Sequence, residues 1–508
     1  MKIQRLLITL LIVGFALQYN QAQTINDVTA FGLNDLTGTA RYRALSGAFG
    51  ALGGDMSAMN INPAGGAVFS NSTMTISAGR YGIDNDTRYF DGFSNTNFNH
   101  YELNQVGGIM VFKNGDASST VNKVTFGFNY ELNNNFEDEY FINGAGNTSI
   151  GEYFAAYANG YTPDDLSVLR GESISDAYIN IGDIFGYDAQ QGFLGYQAYV
   201  IDPDGSGTGY IPNGSYSGTI SQEQWVRTSG YDHKFTFNLA TQLMNSLYAG
   251  INLNFHAVDR RKITQFDEYG YSDSSTLQYV QFDNELHTFG TAFSFNAGII
   301  AKVSDMIRLG ASYQSPTWYS LSDELLQGIN TDVINNDSGA TDLVEVYPNV
   351  ILRYPDYTIQ IPSKLNASAA LVFGKAGLLS FDYGYQDMSN AKLKPTGDPT
   401  FAAENNYIGQ SLKAVSTYRI GGEYRMGIVS LRGGYRFEES PYKNGYTIGD
   451  LTGYSFGMGL DFNGWRIDAT YSLAERDLNP QLYDVGLTST ANISNQISNI
   501  LLSFSFTL

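Results

Sequence analysis

A chain of 508 residues without a cysteine cannot use a disulfide framework, a thiolate metal site or a cysteine nucleophile. Lys and Arg number 29 against 50 Asp and Glu, and the net charge of −21 argues against binding nucleic acid or anionic lipid. Four histidines, His100, His233, His256 and His287, stand singly, so no metal site is expected and no cofactor is implied.

The chain begins with Lys2 and Arg5, then an apolar run, Leu6–Leu17, too short to span a bilayer as a helix. Ala22 offers a cleavage point before Gln23, so residues 1–22 read as an export signal. Removing Lys2 and Arg5 with it lowers the net charge from −21 to −23. No later segment is an uninterrupted apolar run of about 18 residues, so no transmembrane helix is expected. A secreted soluble protein and an outer-membrane barrel both fit so far.

Residues 23–72 do not alternate. They are rich in Gly, Ala and Ser and contain "NINPAGGAVF", Asn60–Phe69. Asn62, preceding Pro63, is biased to extended backbone. Pro63 fixes a turn, and Gly65 and Gly66 are expected to supply positive φ after it. Such a segment folds as a knot of turns inside a lumen or hangs as a tail. Its low charge and scattered apolar residues favour the first.

From residue 73 onward the chain alternates. Val124, Phe126, Phe128, Tyr130 and Leu132 oppose Thr125, Gly127, Asn129 and Glu131. Ile251, Leu253 and Phe255 oppose Asn252, Asn254 and His256, and Leu502, Phe504 and Phe506 oppose Ser503, Ser505 and Thr507. In a strand this puts every large apolar group on one face. The predicted strands are 73–81, 104–113, 121–132, 232–243, 246–260, 286–303, 306–320, 360–374, 377–388, 412–426, 428–438, 452–463, 464–476 and 496–508, fourteen in all. Connections after even strands are short and those after odd strands are expected to be long. That asymmetry belongs to an outer-membrane barrel, short turns inside the cell envelope and long loops outside, and a soluble sandwich has no reason to obey it. The last strand ends in Leu508, where such barrels usually end in Phe. Parity turns Arg419, Glu423, Arg425, Arg432, Arg436, Glu438, Arg466 and Asp468 inward, as lumen charges that brace the barrel or bind a substrate.

The loop from 133 to 231 is too long to lack structure of its own. Ile150, Tyr153, Phe154 and Tyr157 fall at helical spacing, as do Ile174, Ala177, Tyr178, Ile181 and Phe185 behind a Ser173 N-cap. The two helices form a lid, or a groove in which Tyr153, Phe154, Tyr157, Tyr178 and Phe185 contact ligand. "DPDGSGTG", Asp202–Gly209, lacks the twelfth-position Glu of a calcium loop and reads as an acidic turn.

"GALGGDMSAMNINPAG" resembles the N-terminal hatch of the FadL/TodX family of outer-membrane transporters for hydrophobic compounds. Asn62, Pro63 and Ala64 match the family's Asn-Pro-Ala motif, and Gly65 follows. "FNAGIIAKVSDMIRLGASYQSP", Phe295–Pro316, is similar to its paired strands, and "IPSKLNASAALVF", Ile361–Phe373, to a later one. The resemblance implies an all-β protein: a 14-stranded antiparallel transmembrane β-barrel (73–508) with an N-terminal hatch (23–72) inside it. It implies a non-enzymatic, passive carrier of hydrophobic small molecules such as long-chain fatty acids. Its partners are that ligand and outer-membrane lipid, with no nucleic acid. A monomer is expected, in the outer membrane, with both termini periplasmic. It also implies a side opening at a kinked third strand, for which Gly127 is the candidate here. Some relatives in the Bacteroidota serve secretion machinery, and a barrel acting as such an interaction partner is the alternative.

Overall fold

The computed structural model describes residues 23–33, 35–116, 119–335 and 339–508; the signal segment expected over 1–22 lies outside them. Alternation produces what it dictates, a closed ring of fourteen antiparallel strands. These are β1 (Thr73–Tyr89), β2 (Gly92–Lys113), β3 (Val121–Asn135, continued by Asp138–Gly146), β4 (Ile220–Leu243), β5 (Leu247–Tyr269) and β6 (Leu277–Lys302). Then come β7 (Ile307–Gln314 and Thr317–Ile334), β8 (Tyr357–Ile361 and Lys364–Val372), β9 (Gly377–Asp387) and β10 (Ala414–Met426). The ring ends with β11 (Val429–Glu438), β12 (Leu451–Asp461), β13 (Trp465–Leu478) and β14 (Asn492–Thr507). Each strand pairs with its chain neighbours, and β1 closes on β14 from Thr73↔Thr507 to Arg88↔Asn492.

Period 2 sorts the side chains. On β5, Ile251 and Phe255 are 51% and 46% exposed, while Asn252 and Asn254 between them are 0% and 3% exposed. The same outward rows run around the ring, through Phe126, Leu239, Ile299, Leu379, Ile420, Met458 and Leu502. The turn end carries the short connections, including Gly427-Ile428 between β10 and β11.

Three expectations are corrected. Residues 82–103 are no loop: β1 and β2 continue as a hairpin to Tyr89↔Gly92. Its polar alternation, "NTNFNHYEL", has no apolar face to announce a strand. The predicted strands 306–320 and 360–374 are each broken, at Ser315-Pro316 and at Pro362-Ser363, because proline cannot donate to a ladder. Ser315 patches the first gap, its Oγ accepting from Phe295 N and its own N–H donating to Phe295 O, both at 2.9 Å. Finally, β3 bends, and not at Gly127, which pairs regularly with Ile109 and Asn238. Register shifts between Leu132 and Asn134, and the strand is interrupted before Asp138. Its last pair with β2 is Gln105↔Glu131; beyond it, the continuation of β3 meets β1 through Asn85 Nδ2–Asp138 Oδ1 (2.8 Å).

The loop expected over 133–231 is shorter, because Asp138–Gly146 pairs with a β4 that already begins at Ile220; residues 147–219 carry α4 (Gly151–Ala158), α5 (Ile174–Phe185) and α6 (Tyr187–Gln197) plus a small hairpin (Ile201–Pro203, Tyr210–Pro212). The acidic turn expected over Asp202–Gly209 spans that hairpin, with Asp204 Oδ1 accepting from Ser206 N at 2.7 Å. A further helix, α7 (Pro399–Ser411), follows β9. Ahead of the ring lie α1 (Ile25–Gly32), α2 (Ala40–Ala44), α3 (Ala58–Ile61) and a 3₁₀ turn, Pro63–Val68.

Candidate functional site

The residues of interest lie inside the ring. Four backbone carbonyls of "MNINP" are each taken by an inward side chain of a different strand. Asn252 Nδ2 (β5) donates to Met59 O at 2.8 Å and Asn296 Nδ2 (β6) to Asn60 O at 3.2 Å. Ser312 Oγ (β7) donates to Ile61 O at 2.5 Å and Asn238 Nδ2 (β4) to Pro63 O at 2.9 Å. Asn62 does two jobs. Its Oδ1 accepts from Ala64 N (3.1 Å), capping the 3₁₀ turn that Pro63 begins. Its Nδ2 donates to Gly50 O (2.8 Å) and to the β6 carbonyl of Ile299 (2.9 Å).

The wall is thinned to receive this motif. A Cβ on Gly250 would meet the Pro63 carbonyl carbon at 2.5 Å, and one on Gly298 would strike the Asn62 side chain. Gly65 and Gly66 depart from expectation, since neither has positive φ. They lie in the 3₁₀ turn, where the missing Cβ gives clearance from Gly53 and from Asn238 respectively.

The opposite wall holds the segment by charge. Glu423 Oε2 accepts from Arg41 Nε (3.0 Å) and Arg432 Nε (2.6 Å), and its Oε1 pairs with Arg425 (2.5 Å). Arg432 continues to Asp468 (2.6 Å), which also takes Arg466 (2.7 Å). Predicted lumen charges Glu423, Arg425, Arg432, Arg466 and Asp468 are thus brought together, with Arg41 of the segment as their sixth member. Arg419 stands apart from them. Asp382 Oδ2 receives the amides of Phe49 (2.9 Å) and Gly50 (2.8 Å), and the buried Arg43 donates to Tyr81 (2.9 Å) and Ser472 (3.0 Å). Sequence reading missed Arg41 and Arg43, because a non-alternating segment has no parity to assign.

Further toward the loops, α1 occupies an apolar chamber. Thr24 and Asp27 form its capping box, and Glu404 of α7 accepts from Ile25 N at 2.6 Å. Ile25, Val28 and Phe31 are buried among Tyr319, Leu321, Ile359, Ile361, Met388 and Phe401. Phe31 lies 5.0 Å from the Tyr319 ring and 5.5 Å, edge-on, from Phe136. Burial, with the Asp323 carboxylate nearby, pushes the Asp27 carboxyl up to about 6.

Two cavities flank α1. An outer cleft of about 930 Å³ reaches its first residues, lined by Tyr140, Tyr442, Tyr446, Tyr483 and Lys262 among others. An inner, polar cavity of about 100 Å³ lies between Phe31, the inner segment and the wall.

No family model matches the chain, and no curated protein matches it. Solved structures do. A FadL homologue of Pseudomonas aeruginosa is similar with a TM-score of 0.53 at 13% identity, over 94% of this chain and 99% of that one. The chain has the FadL fold. The toluene transporters TbuX of Ralstonia pickettii and TodX of Pseudomonas putida are also similar, each at 14% identity and TM-score 0.49, over 93% of this chain and 99% of theirs.

At 13% identity the FadL fold is carried here by pattern: outward apolar rows and inward small or amide residues. The loop-end cap is dressed on that fold with an apolar core of its own. Tyr153, Phe154 and Tyr178 are buried there with Phe193 and Phe282. Tyr153 Oη donates to Gln191 (3.0 Å), and Gln191 and Tyr178 both donate to Gln327 Oε1 on β7 (2.7 and 2.9 Å). Burial pushes both phenols above their ordinary range. Tyr157 reaches Asp484 (2.7 Å), and Phe185 packs on Tyr161. None of these five predicted contact residues lines either cavity.

Proposed function

We propose that the protein is an outer-membrane carrier for passive uptake of hydrophobic small molecules such as long-chain fatty acids, with residues 23–72 as its plug. The outward rows support the membrane setting. On β5 they stay apolar from Leu247 to Ala257 before Asp259 and Arg261. That is roughly 33 Å along the strand, or about 25 Å of height at a tilt of about 40°, of the order of the apolar band such barrels present to lipid. Among the described residues no helix is long and apolar enough to cross a membrane, so a crossing here uses strands.

The single observation that carries the reading is the apolar chamber inside a plugged ring. A diffusion pore for polar solutes needs neither. Here the lumen is filled by polar contacts below and by an exchangeable apolar helix above, with a cleft of tyrosines and polar side chains leading to it. A hydrophobic ligand arriving through the cleft competes with Ile25, Val28 and Phe31 for the same surface, and each of these is worth about 1.5–3 kcal/mol of burial.

The test is mass spectrometry of lipid that co-purifies with the barrel, alongside uptake of a labelled fatty acid in cells with and without it. Bound lipid and protein-dependent uptake are expected. Absence of both overturns the reading, and conductance of open-pore size assigns a porin instead.

A further inference from the structure

Where β3 parts from β2, an amine, a carboxamide and two carboxylates meet. The register of β3 on β4 passes from Leu132↔His233 to Asn134↔Asp232, so Asn133 is bulged out of the ladder. Its side chain is buried, 9% exposed. Lys234 Nζ donates to Asn133 Oδ1 at 3.1 Å, and Asn133 Nδ2 donates to Asp232 Oδ2 at 2.7 Å. With a carbonyl bond of about 1.2 Å, the Lys234 nitrogen is at most about 4.3 Å from Asn133 Cγ.

Both carboxylates are held in place. Asp232 is fully buried; its Oδ1 pairs with His256 Nδ1 at 2.8 Å, and its Oδ2 also accepts from Tyr319 Oη at 2.9 Å. Glu131, also buried, lies directly opposite Lys234 in the ladder and accepts from Asn129 Nδ2 at 3.0 Å. One carboxylate thus neighbours the amine and the other neighbours the amide nitrogen. Aminolysis of a carboxamide needs a base for the attacking amine and a proton for the departing nitrogen, and these are the two places a carboxylate must occupy. Holding the reacting groups together on adjacent strands supplies the proximity that free lysine and asparagine side chains lack.

We infer that Lys234 and Asn133 become joined by an isopeptide bond, a covalent tie between β4 and β3. The Lys234 ammonium gives one proton to Glu131, and the free Nζ attacks Asn133 Cγ while the carbonyl electron pair moves to Oδ1. In the tetrahedral adduct both nitrogens sit on one carbon, so the carboxylate bonded to one is within reach of the other. Asp232 passes a second proton from Nζ to Nδ2. The pair on Oδ1 re-forms the carbonyl, the Cγ–Nδ2 bond breaks, and ammonia leaves, taking the proton from Glu131 as ammonium. One C–N bond forms and one breaks, with no change of oxidation state and no co-reactant. The position gives the tie a use. The last pair of β3 with β2 is Gln105↔Glu131, and beyond it the ladder of β3 is to β4 alone. A bond between residues 101 apart in the chain fastens that remaining ladder and narrows the unfolded ensemble. The tie does not depend on what the protein carries.

The experiment is tryptic mapping of the purified barrel by mass spectrometry. The expected product is a branched peptide joining the segments of Asn133 and Lys234, lighter than their sum by one ammonia, with no cleavage after Lys234. Lys234→Arg and Asn133→Ala should each abolish it, and Asp232→Asn should leave most chains unlinked, since a positioned proton carrier is worth about a hundredfold or more in rate. A heat-shifted gel band verifies that each variant is a folded barrel; the map of the unsubstituted chain decides the matter even if none of them folds. Cleavage after Lys234, with both segments recovered separately at full mass, overturns the tie. Loss of ammonia from the Asn133 segment while Lys234 is still cleaved also overturns it, and assigns a succinimide at Asn133 instead. Undiminished linkage in Asp232→Asn overturns the proton transfer through Asp232.

Discussion

The N-terminal segment is held in two different ways along its length. From Ala40 to Phe69 it is fixed by directional polar bonds: the Arg41–Glu423–Arg432–Asp468 chain on one wall and the four captured carbonyls on the other. From Ile25 to Gly32 it is fixed mainly by apolar packing. The difference decides what a ligand can move. A hydrophobic molecule offers nothing in exchange for an ion pair or an amide bond, so it cannot displace the first part. It offers the same contacts as Ile25, Val28 and Phe31, so it can replace the second. On the proposed function the helix is the element a ligand exchanges with, and the polar segment is the floor it rests on.

Breaking the polar half should have the largest effect. Glu423→Gln leaves Arg41 without its buried ion-pair partner and Arg432 with Asp468 alone, a loss of about 3–5 kcal/mol. The barrel should still insert, and planar-bilayer recordings should show open-channel events absent from the parent. Breaking the apolar half comes next. Phe31→Ala costs α1 about 3 kcal/mol of docking, so the helix should lose hydrogen-exchange protection while fatty-acid binding tightens. Weaker binding instead would make Phe31 part of the ligand's own site.

Acidity sharpens the same division. Asp27 has a docked pKa of about 6 against 3.8 for a free carboxyl, so docking takes up a proton. Docking is therefore strongest on the acid side and weakens, by up to about 3 kcal/mol, as pH rises from about 4 to about 6. Exchange protection of α1 should follow that window, and Asp27→Asn should flatten it. Pro63→Ala should have the smallest effect, about 1 kcal/mol, because Asn62 still caps the turn. The barrel should insert normally, with faster exchange at Ala64–Val68 and altered uptake. Failure to assemble would make the motif a structural support of the barrel itself and not only the floor of its lumen.

The ring was legible because period 2 is enforced residue by residue wherever one face is apolar, as at Ile251–Phe255. The hairpin of β1 and β2 was not, because its alternation is polar on both faces. Prolines 316 and 362 were visible, yet the two apolar runs that continue past them read as unbroken strands. The helices behind Ser173 and at Ile150 were legible from spacing. Helix α6 was not, since "YDAQQGFLGYQ" begins from Gly186, which has φ 87° and no side chain to cap with, and includes two glycines. Helix α1 carries a capping box, Thr24 to Asp27, but lies in a segment whose Gly, Ala and Ser content reads as turns. The motif around Pro63 was legible as a turn, and Asn62 was read as extended. The captors of its carbonyls were not legible, because Asn238, Asn252, Asn296 and Ser312 lie far apart in sequence and meet only when the ring closes. Parity turns Arg419 inward, and it is buried in the structure, but parity cannot say which charges find partners.

The seam between β1 and β14 sets an order of events. Ala40 N donates to Ser503 Oγ at 2.6 Å, and Leu508 N donates to Ser72 O at 2.9 Å. Residues ahead of β1 are thus fastened by β14, which lies more than 400 residues later in the sequence. The ring cannot be sealed until β14 exists, and whatever is to lie within it must be there before the β1–β14 ladder zips. Enclosing the N-terminal segment and closing the ring are, on this geometry, a single step in time.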